Sequence, residues 1–158
     1  MSETLLIREE TPDQPEVVHL LTARDALLGA LYPPESCHRL DLAGLLRPEV
    51  TFLVARQGNM VVGCGAVVRK DGYGEIKSMF VDETTRGTGA GRALLAAVEA
   101  RAHASGLAVL RLETGIHQQA ALGLYRAAGY REVEPFGDYR PDPLSVFMEK
   151  RLAPAKAI

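Results

Sequence analysis

The sequence lacks a long apolar run and, at its N-terminus, the basic-then-apolar layout of a secretion signal. A membrane-spanning helix needs about 20 predominantly apolar residues, and a signal peptide places an apolar stretch behind positive charge. Both absences favour a chain that neither spans a membrane nor crosses one. We therefore expect a cytoplasmic protein.

Cysteine is also scarce. Cys37 and Cys64 are the only two cysteines, and they form neither a CxxC pair nor a disulfide framework. The histidines show no paired metal-ligand spacing. The sequence therefore predicts reduced thiols and no metal site. The four histidines are His19, His38, His103 and His117.

An excess of basic charge is the third absence. Eighteen Lys and Arg residues stand against 20 Asp and Glu residues, which gives a formal net charge of −2. Proteins that bind nucleic acid or an anionic membrane surface normally present a basic field. The charge balance therefore argues against both partners.

The chain does have enough apolar residues for a core. Its 158 residues are 47% hydrophobic and 24% charged, which is ordinary for a globular protein of this size. We expect one domain over residues 1–158.

Apolar periodicity predicts the element order β-α-α-β-β-β-α-β-α-β-β. Turn signals at Gln57-Gly58-Asn59 and Asp71-Gly72 join three consecutive strands, which indicates an antiparallel meander. A long helix precedes the next strand, so that strand is expected to lie parallel to the last strand of the meander. Ser36 is expected to cap the short second helix. The other predicted helices cover about 13–31, 89–105 and 118–128, and the predicted strands 4–8, 51–56, 61–70, 73–82, 107–113, 130–133 and 145–152.

A glycine-rich loop follows the predicted strand at 73–82 and opens a helix. Gly87, Gly89 and Gly91 lack a Cβ, so their backbone can adopt positive φ and approach a ligand closely. The free N–H groups and the dipole of the helix favour a phosphate there, and Arg86 adds a charge. The spacing fits neither G-x-x-x-x-G-K-[ST] nor G-x-G-x-x-G, so both nucleotide-binding motifs are excluded.

A second motif, Ala121-Leu122-Gly123-Leu124-Tyr125 with Gly129-Tyr130, lies on the predicted helix at 118–128. Together with the Arg-x-x-Gly-x-Gly of the loop, it resembles the GNAT superfamily of acetyl-CoA-dependent N-acetyltransferases, with the pattern A-x-x-L-Y-x-x-x-G-[FY]. The resemblance covers the whole chain, and in finer detail it is to a bacterial acetyltransferase subgroup. Many members carry Asn where this chain has Gln118, so the cofactor contact at that position stays open.

The resemblance implies a mixed α/β (α+β) GNAT fold with a central sheet of about seven strands and four helices. It places a splay between the fourth and fifth strands. It also implies acetyl-CoA as cosubstrate and no metal. The expected cofactor-binding residues are Met79, Phe80, Val81, Arg86, Gly87, Thr88, Gly89, Ala90, Gly91, Arg92, Gln118 and Tyr125.

Acetyl transfer to an amine needs a base, because alkylamines hold their proton with a pKa of about 10, and an acid for the leaving thiolate. The resemblance assigns the acid to Tyr125 and the base to Glu75. Strand alternation predicts that Glu75 shares a face with Lys77, Met79 and Val81. A solvated carboxylate paired with Lys77 is the alternative interpretation of Glu75.

The acceptor is not identified by the sequence. Arg39, Arg140 and His38 suit an acidic acceptor, whereas Glu35 and Asp138 suit a cationic one. We expect an N-acetyltransferase for a primary amine of a small molecule, with a homodimer as a further expectation. The alternatives are acetylation of protein lysines or N-termini, and a non-catalytic acyl-CoA-binding module. The residues expected at the acceptor are Tyr32, Glu35, His38, Glu75 and Tyr139.

Overall fold

The chain folds around one mixed sheet of seven strands, in the order β1-β2-β3-β4-β5-β7-β6, in a computed structural model that describes residues 4–152. The strands are β1 (Leu5–Glu9), β2 (Val50–Gln57), β3 (Met60–Arg69), β4 (Gly74–Val81), β5 (Val109–Gly115), β6 (Arg131–Glu132) and β7 (Ser145–Arg151). The helices are α1 (Pro15–Leu31), α2 (Leu42–Leu45), α3 (Ala90–Ala104) and α4 (Gln119–Ala127), with 3-10 turns at Pro34–Ser36 and Glu83–Thr85. The predicted order of elements is confirmed.

Strands β2, β3 and β4 form the predicted antiparallel meander, and β1 adds a fourth antiparallel strand beside β2. Gly58 and Gly72 adopt φ angles of 61° and 85° at its two tight turns, where a side chain would be strained. α3 then returns the chain so that β5 lies parallel to β4, and β7 enters antiparallel between β5 and β6. No helix within residues 4–152 is both long and apolar enough to span a membrane.

β4 and β5 pair only at one end. Gly74 lies opposite Leu110 and Glu75 opposite Arg111, although the two strands continue to Val81 and Gly115. Beyond the two pairs the strands diverge, so backbone groups in the open part of β4 are not used by β5. This is the splay expected between the fourth and fifth strands.

A bulge at Ser78 reverses the alternation along β4. Lys77 pairs with Ala66, but Phe80 pairs with Cys64, so β4 carries one extra residue there, and Ser78 has a φ of 57°. The side chains of Met79 and Val81 therefore pack on the face of α3. The prediction that they share a face with Glu75 is wrong, because strict alternation ends at the bulge.

Two apolar layers cover the sheet. On one face α3 and α4 pack over the larger core, in which Leu94, Leu95 and Val98 are almost completely buried. On the other face α1 buries Val17 and Leu20 against β2 and β3. The sheet is thus held between helices, and the open end of the β4–β5 splay faces both α1 and α4.

Helix α1 is less regularly buried than its apolar pattern predicts. Leu28 is buried, whereas Leu27 and Leu31 remain about two-fifths exposed, because they border a large cavity described below.

The predicted cap of the second helix is wrong. Asp41 caps α2 by accepting a hydrogen bond from the Gly44 N–H at 2.8 Å, and Ser36 instead donates to Asp142 at 2.7 Å.

Candidate active site

A cavity of about 680 Å³ opens where β4 and β5 diverge. It extends from the glycine-rich loop to Tyr125 on α4 and is walled by α1 on one side. Ten of the twelve residues expected at the cofactor border this cavity. They are Met79, Phe80, Val81, Arg86, Gly87, Gly89, Gly91, Arg92, Gln118 and Tyr125.

The loop at one end of the cavity has the predicted backbone. Gly87 and Gly89 adopt φ angles of 81° and 90°, and Gly89 directly precedes the first turn of α3. A Cβ at either glycine would meet no other atom of residues 4–152 within 4 Å, which leaves room for a ligand beside them. This combination of open space, unpaired N–H groups and helix dipole suits a phosphate.

The remaining residues of the loop differ from the expectation in detail. Gly91 lies inside α3 and is not among the positive-φ glycines, so the prediction of positive φ is wrong at this position. Thr88 and Ala90 do not border the cavity. The Thr88 hydroxyl donates back to the Thr85 carbonyl, and Ala90 is buried. The Arg86 guanidinium lies 5.7 Å from the centre of the Phe80 ring, at the cavity wall.

Tyr125 lies at the opposite end of the cavity. α4 directs its ring inward, where it is 6% exposed and makes an edge contact with Tyr130 at 5.6 Å. Burial raises the pKa of Tyr125 to about 12, and the nearby Arg24 guanidinium acts in the opposite direction. The phenol therefore keeps its proton at neutral pH.

A second, smaller cavity of about 70 Å³ adjoins the large one. The two cavities share six lining residues, so both lie against the Tyr125 ring. The shared residues are Arg24, Leu28, Met79, Gln118, Ala121 and Tyr125.

Positively charged side chains outnumber carboxylates in the lining of the small cavity. Arg24, Arg39 and Lys77 border it together with His38, and Glu113 is the only carboxylate among its lining residues. The Glu113 carboxylate accepts a hydrogen bond from the Ser145 hydroxyl at 2.7 Å. Burial raises the pKa of Glu113 above that of an ordinary carboxyl, and the hydrogen bond from Ser145 acts in the opposite direction.

Glu75 lies behind this cavity and does not line it. Its carboxylate is buried, at 3% exposure, and accepts a hydrogen bond from the Tyr139 hydroxyl. Lys77 Nζ lies 3.3 Å from Glu75 Oε2 and donates to the Tyr139 hydroxyl as well. The pairing with Lys77 is thus observed, but the carboxylate is buried and not solvated. Its assignment as the base stays a prediction.

The residues expected at the acceptor divide between the cavity and its surroundings. Tyr32 and His38 border the small cavity. The Tyr32 ring stacks on His117 at 5.5 Å, and its hydroxyl accepts from the His117 backbone N–H at 3.0 Å. The Tyr139 ring makes an edge contact with the His38 ring, with 5.1 Å between the ring centres. Glu35 is exposed and borders neither cavity.

Gln118 borders both cavities. Its side-chain oxygen accepts from the Gly115 backbone N–H at 3.0 Å and thereby closes the turn between β5 and α4. The side-chain amino group is the part of Gln118 left to meet a ligand, so contact with the cofactor at this position stays a prediction.

Sequence reasoning missed Arg24 and Glu113. Leu20, Arg24 and Leu28 follow one another at intervals of four on α1, which places an arginine on the buried stripe of a helix. Glu113 lies near the carboxyl end of β5, at the splay. A charge on a buried stripe and a carboxylate at a strand end were the available signals.

The chain is similar to known acetyltransferases over most of its length. Residues 14–130 match the model of the acetyltransferase (GNAT) family. An IAA acetyltransferase of Azospirillum brasilense is 51% identical over 148 residues, which cover 92% of this chain and 97% of that protein. An uncharacterised N-acetyltransferase of Bacillus subtilis, YsnE, is 39% identical over 87% of this chain and 93% of its own.

A solved structure agrees with these sequence matches. It is a crystal structure from Klebsiella pneumoniae of a protein assigned as an acyl-CoA N-acyltransferase. It superposes with a TM-score of 0.83 at 40% identity, over 95% of this chain and 99% of the other.

Proposed function

Because the chain belongs to the GNAT family of acetyltransferases, we propose that it transfers the acetyl group of acetyl-CoA to a primary amine of a small molecule. The protein is an acyltransferase. One observation carries the proposal: a single cavity connects the glycine-rich loop to Tyr125 through the splay of β4 and β5.

The cavity suits an extended cofactor with an anion at one end. The diphosphate lies on Gly87 and Gly89 at the start of α3, next to Arg86. The pantetheine arm runs along Met79, Phe80 and Val81, where β5 no longer pairs with β4, and it pairs with the backbone as an added strand. The thioester then reaches Tyr125.

Tyr125 supplies the proton for the leaving thiolate. When the amine attacks the thioester carbon, a C–N bond forms, and the C–S bond breaks as the tetrahedral intermediate collapses. Free N–H groups of the splayed β4 stabilise the oxyanion. The buried phenol is protonated at neutral pH, and the Arg24 charge beside it favours the phenolate that forms when the proton leaves.

A base must remove the proton of the acceptor ammonium. Glu75 is the candidate from the sequence, and in its observed position a proton reaches it only through Tyr139, Lys77 or water. The small cavity favours a small molecule as the acceptor, because its volume is about 70 Å³ and Tyr32, His38 and Glu113 lie in its wall.

The decisive experiment measures thiol release from acetyl-CoA with dithionitrobenzoate across a panel of primary amines, with mass spectrometry of the products. We expect amine-dependent thiol release and a product heavier by one acetyl group. Calorimetric binding of acetyl-CoA without turnover of any amine would identify a non-catalytic acyl-CoA-binding module. Acetylation of peptides alone would identify the protein-directed alternative.

A further inference from the structure

We propose that the acceptor carries a carboxylate beside its amine, that Arg24 pairs with this carboxylate, and that Glu113 takes the proton of the ammonium group. The proposal rests on the acetyl transfer proposed above and adds the class of acceptor. The observation behind the proposal is that three cations, Arg24, Arg39 and Lys77, line the small cavity together with one carboxylate, Glu113.

The Arg24 guanidinium has N–H groups available to bind a ligand. Its side chain is 15% exposed, and its contact with a carboxylate is a long one, 3.6 Å from Nη1 to Asp25 Oδ1. Within residues 4–152, its guanidinium donates no hydrogen bond. Arg56, in contrast, donates four hydrogen bonds to Glu10 and Gln14. A largely buried guanidinium that faces a cavity without hydrogen-bond partners is suited to a bidentate carboxylate.

The position of Arg24 assigns it to the acceptor and not to the diphosphate. Arg24 lies on the wall that the two cavities share, together with Tyr125, whereas the diphosphate seat is at the other end of the large cavity. Lys77 already donates to the Tyr139 hydroxyl and to the His38 carbonyl, and it lies 3.3 Å from Glu75. Lys77 therefore contributes positive potential, and Arg24 contributes the hydrogen bonds.

Glu113 faces the small cavity from β5. The titratable and polar groups around it come from every neighbouring element: Ser145 of β7, Lys77 of β4, Tyr32 at the end of α1, and His38 and Asp142 of the adjoining loops. The raised pKa of Glu113 brings its carboxylate closer to the basicity that a proton acceptor needs near neutral pH.

The proton balance closes with these two residues. Glu113 takes one proton from the ammonium and passes it to water, and the neutral amine attacks the thioester carbon. The second nitrogen proton replaces the one that Tyr125 gives to the departing sulfur. The products are the N-acetyl acid and CoA thiol.

The size of the cavity limits what is enclosed. The small cavity has a volume of about 70 Å³, about a tenth of that of the large cavity beside it. This small volume favours the ammonium and carboxylate of a compact amino acid as the enclosed groups.

The first test needs only the unmodified protein. L-amino acids, β-alanine and γ-aminobutyrate are each compared with their own amide, in which the carboxylate is replaced by a neutral group of similar size. We expect kcat/KM to be about 10- to 100-fold higher for the acid in the preferred pair. Calorimetry on CoA-saturated protein gives the same comparison without turnover. Amides that bind or react as well as their acids in every pair overturn the proposal, while acetylation of those amides leaves the acetyl transfer itself intact.

The second test removes each partner. Arg24→Gln is expected to bring the acid-to-amide ratio of kcat/KM close to 1, and Arg47→Gln, at an exposed arginine far from both cavities, keeps the ratio. The ratio cancels any loss of kcat that Arg24→Gln causes through the neighbouring Tyr125. An unchanged ratio together with a raised KM for acetyl-CoA would assign Arg24 to the cofactor and overturn the proposal.

Glu113→Gln is expected to lower kcat by about 10²- to 10⁴-fold and to remove the fall in rate at acidic pH. The control is Glu132→Gln, which changes an exposed carboxylate on β6. If Glu113→Gln keeps the pH–rate profile and Glu75→Gln loses its acidic limb, Glu75 is the base and this part of the proposal is wrong.

Discussion

At the scale of single residues, two neighbouring tyrosines differ in whether they border the cavities. Tyr125 borders both cavities, whereas Tyr130, 5.6 Å away between ring centres, donates to Glu99 at 2.7 Å and borders neither. The same substitution at the two positions therefore separates a chemical role from a packing role.

We predict that Tyr125→Phe lowers kcat by about 10²- to 10⁴-fold, because the thiolate loses its proton donor, and leaves the affinity for acetyl-CoA nearly unchanged. Tyr130→Phe is the matched control and is expected to keep kcat. Steady-state kinetics with calorimetry of acetyl-CoA binding measure both quantities. Normal turnover in Tyr125→Phe would remove Tyr125 from the mechanism.

Two glycines near α4 make a second contrast. A Cβ at Gly115 would lie 1.9 Å from the Tyr32 hydroxyl oxygen, whereas a Cβ at Gly123 would have no neighbour within 4 Å in the described part of the chain. We predict that Gly115→Ala lowers the free energy of unfolding by about 1–3 kcal/mol through overpacking and raises the acceptor KM, since Tyr32 must move. Gly123→Ala should raise the free energy of unfolding by roughly 0.5–1 kcal/mol. Urea unfolding tests the pair, and equal effects would contradict the close packing at Tyr32.

The residues that the sequence predicted and those it missed differ in one physical respect. Tyr125 and the loop glycines belong to local motifs, so the spacing of neighbouring residues was enough to single them out. Arg24 depends on how α1 rests against the sheet, and the separation of Glu75 from the cavity depends on Tyr139, 64 positions away. Long-range packing of this kind leaves little trace in a local pattern.

At the scale of elements, α3 has a left-handed glycine at each end. Gly89 has a φ of 90° at its start and Gly106 a φ of 89° just after its end. Among residues 4–152, no atom lies within 4 Å of a Cβ added at either position. The two positions have the same backbone requirement, but only Gly89 borders the large cavity.

We predict that Gly89→Val and Gly106→Val each lower the free energy of unfolding by about 1–3 kcal/mol, because a side chain is strained at these angles. Only Gly89→Val should abolish acetyl-CoA binding, since its side chain occupies the diphosphate seat. Thermal unfolding and calorimetry compare the two variants. Normal binding by Gly89→Val would place the diphosphate elsewhere.

Strand β4 illustrates where element-level prediction ends. Its existence, its direction and its pairing with β3 and β5 follow from apolar runs and turn signals. The extra residue at Ser78 is set by pairing with β3, and it decides which side chains face the core. The order of elements was therefore predictable, whereas the facing of Met79 and Val81 was not.

At the scale of the whole molecule, a largely buried ion pair makes the free energy of unfolding depend on pH. Arg56 binds Glu10 with both Nε and Nη2, at 3.0 and 2.9 Å, and this hydrogen bonding lowers the pKa of Glu10 below the ordinary 4.5. A lowered pKa in the folded state means that the stabilisation is present above the ordinary value and is lost as the pH falls through the folded value.

We predict that Arg56→Gln lowers the free energy of unfolding by about 1 kcal/mol at pH 7, and that the difference from the unmodified protein shrinks as the pH falls below 4.5. Arg126→Gln breaks the exposed pair with Glu132 and should change little at either pH. Urea unfolding at pH 7 and pH 3.5 measures both variants. A pH-independent loss in Arg56→Gln would mean that the arginine acts by packing and not by charge.

The wall common to the two cavities sets a limit on the donor. With acetyl-CoA bound as proposed, an acyl chain longer than acetyl extends past Tyr125 into the small cavity of about 70 Å³, which also takes the acceptor. Propionyl and butyryl thioesters should therefore compete with bulky acceptors for this space and still react with the smallest ones. The longer the acyl chain of the donor, the smaller the acceptor that the enzyme should accept.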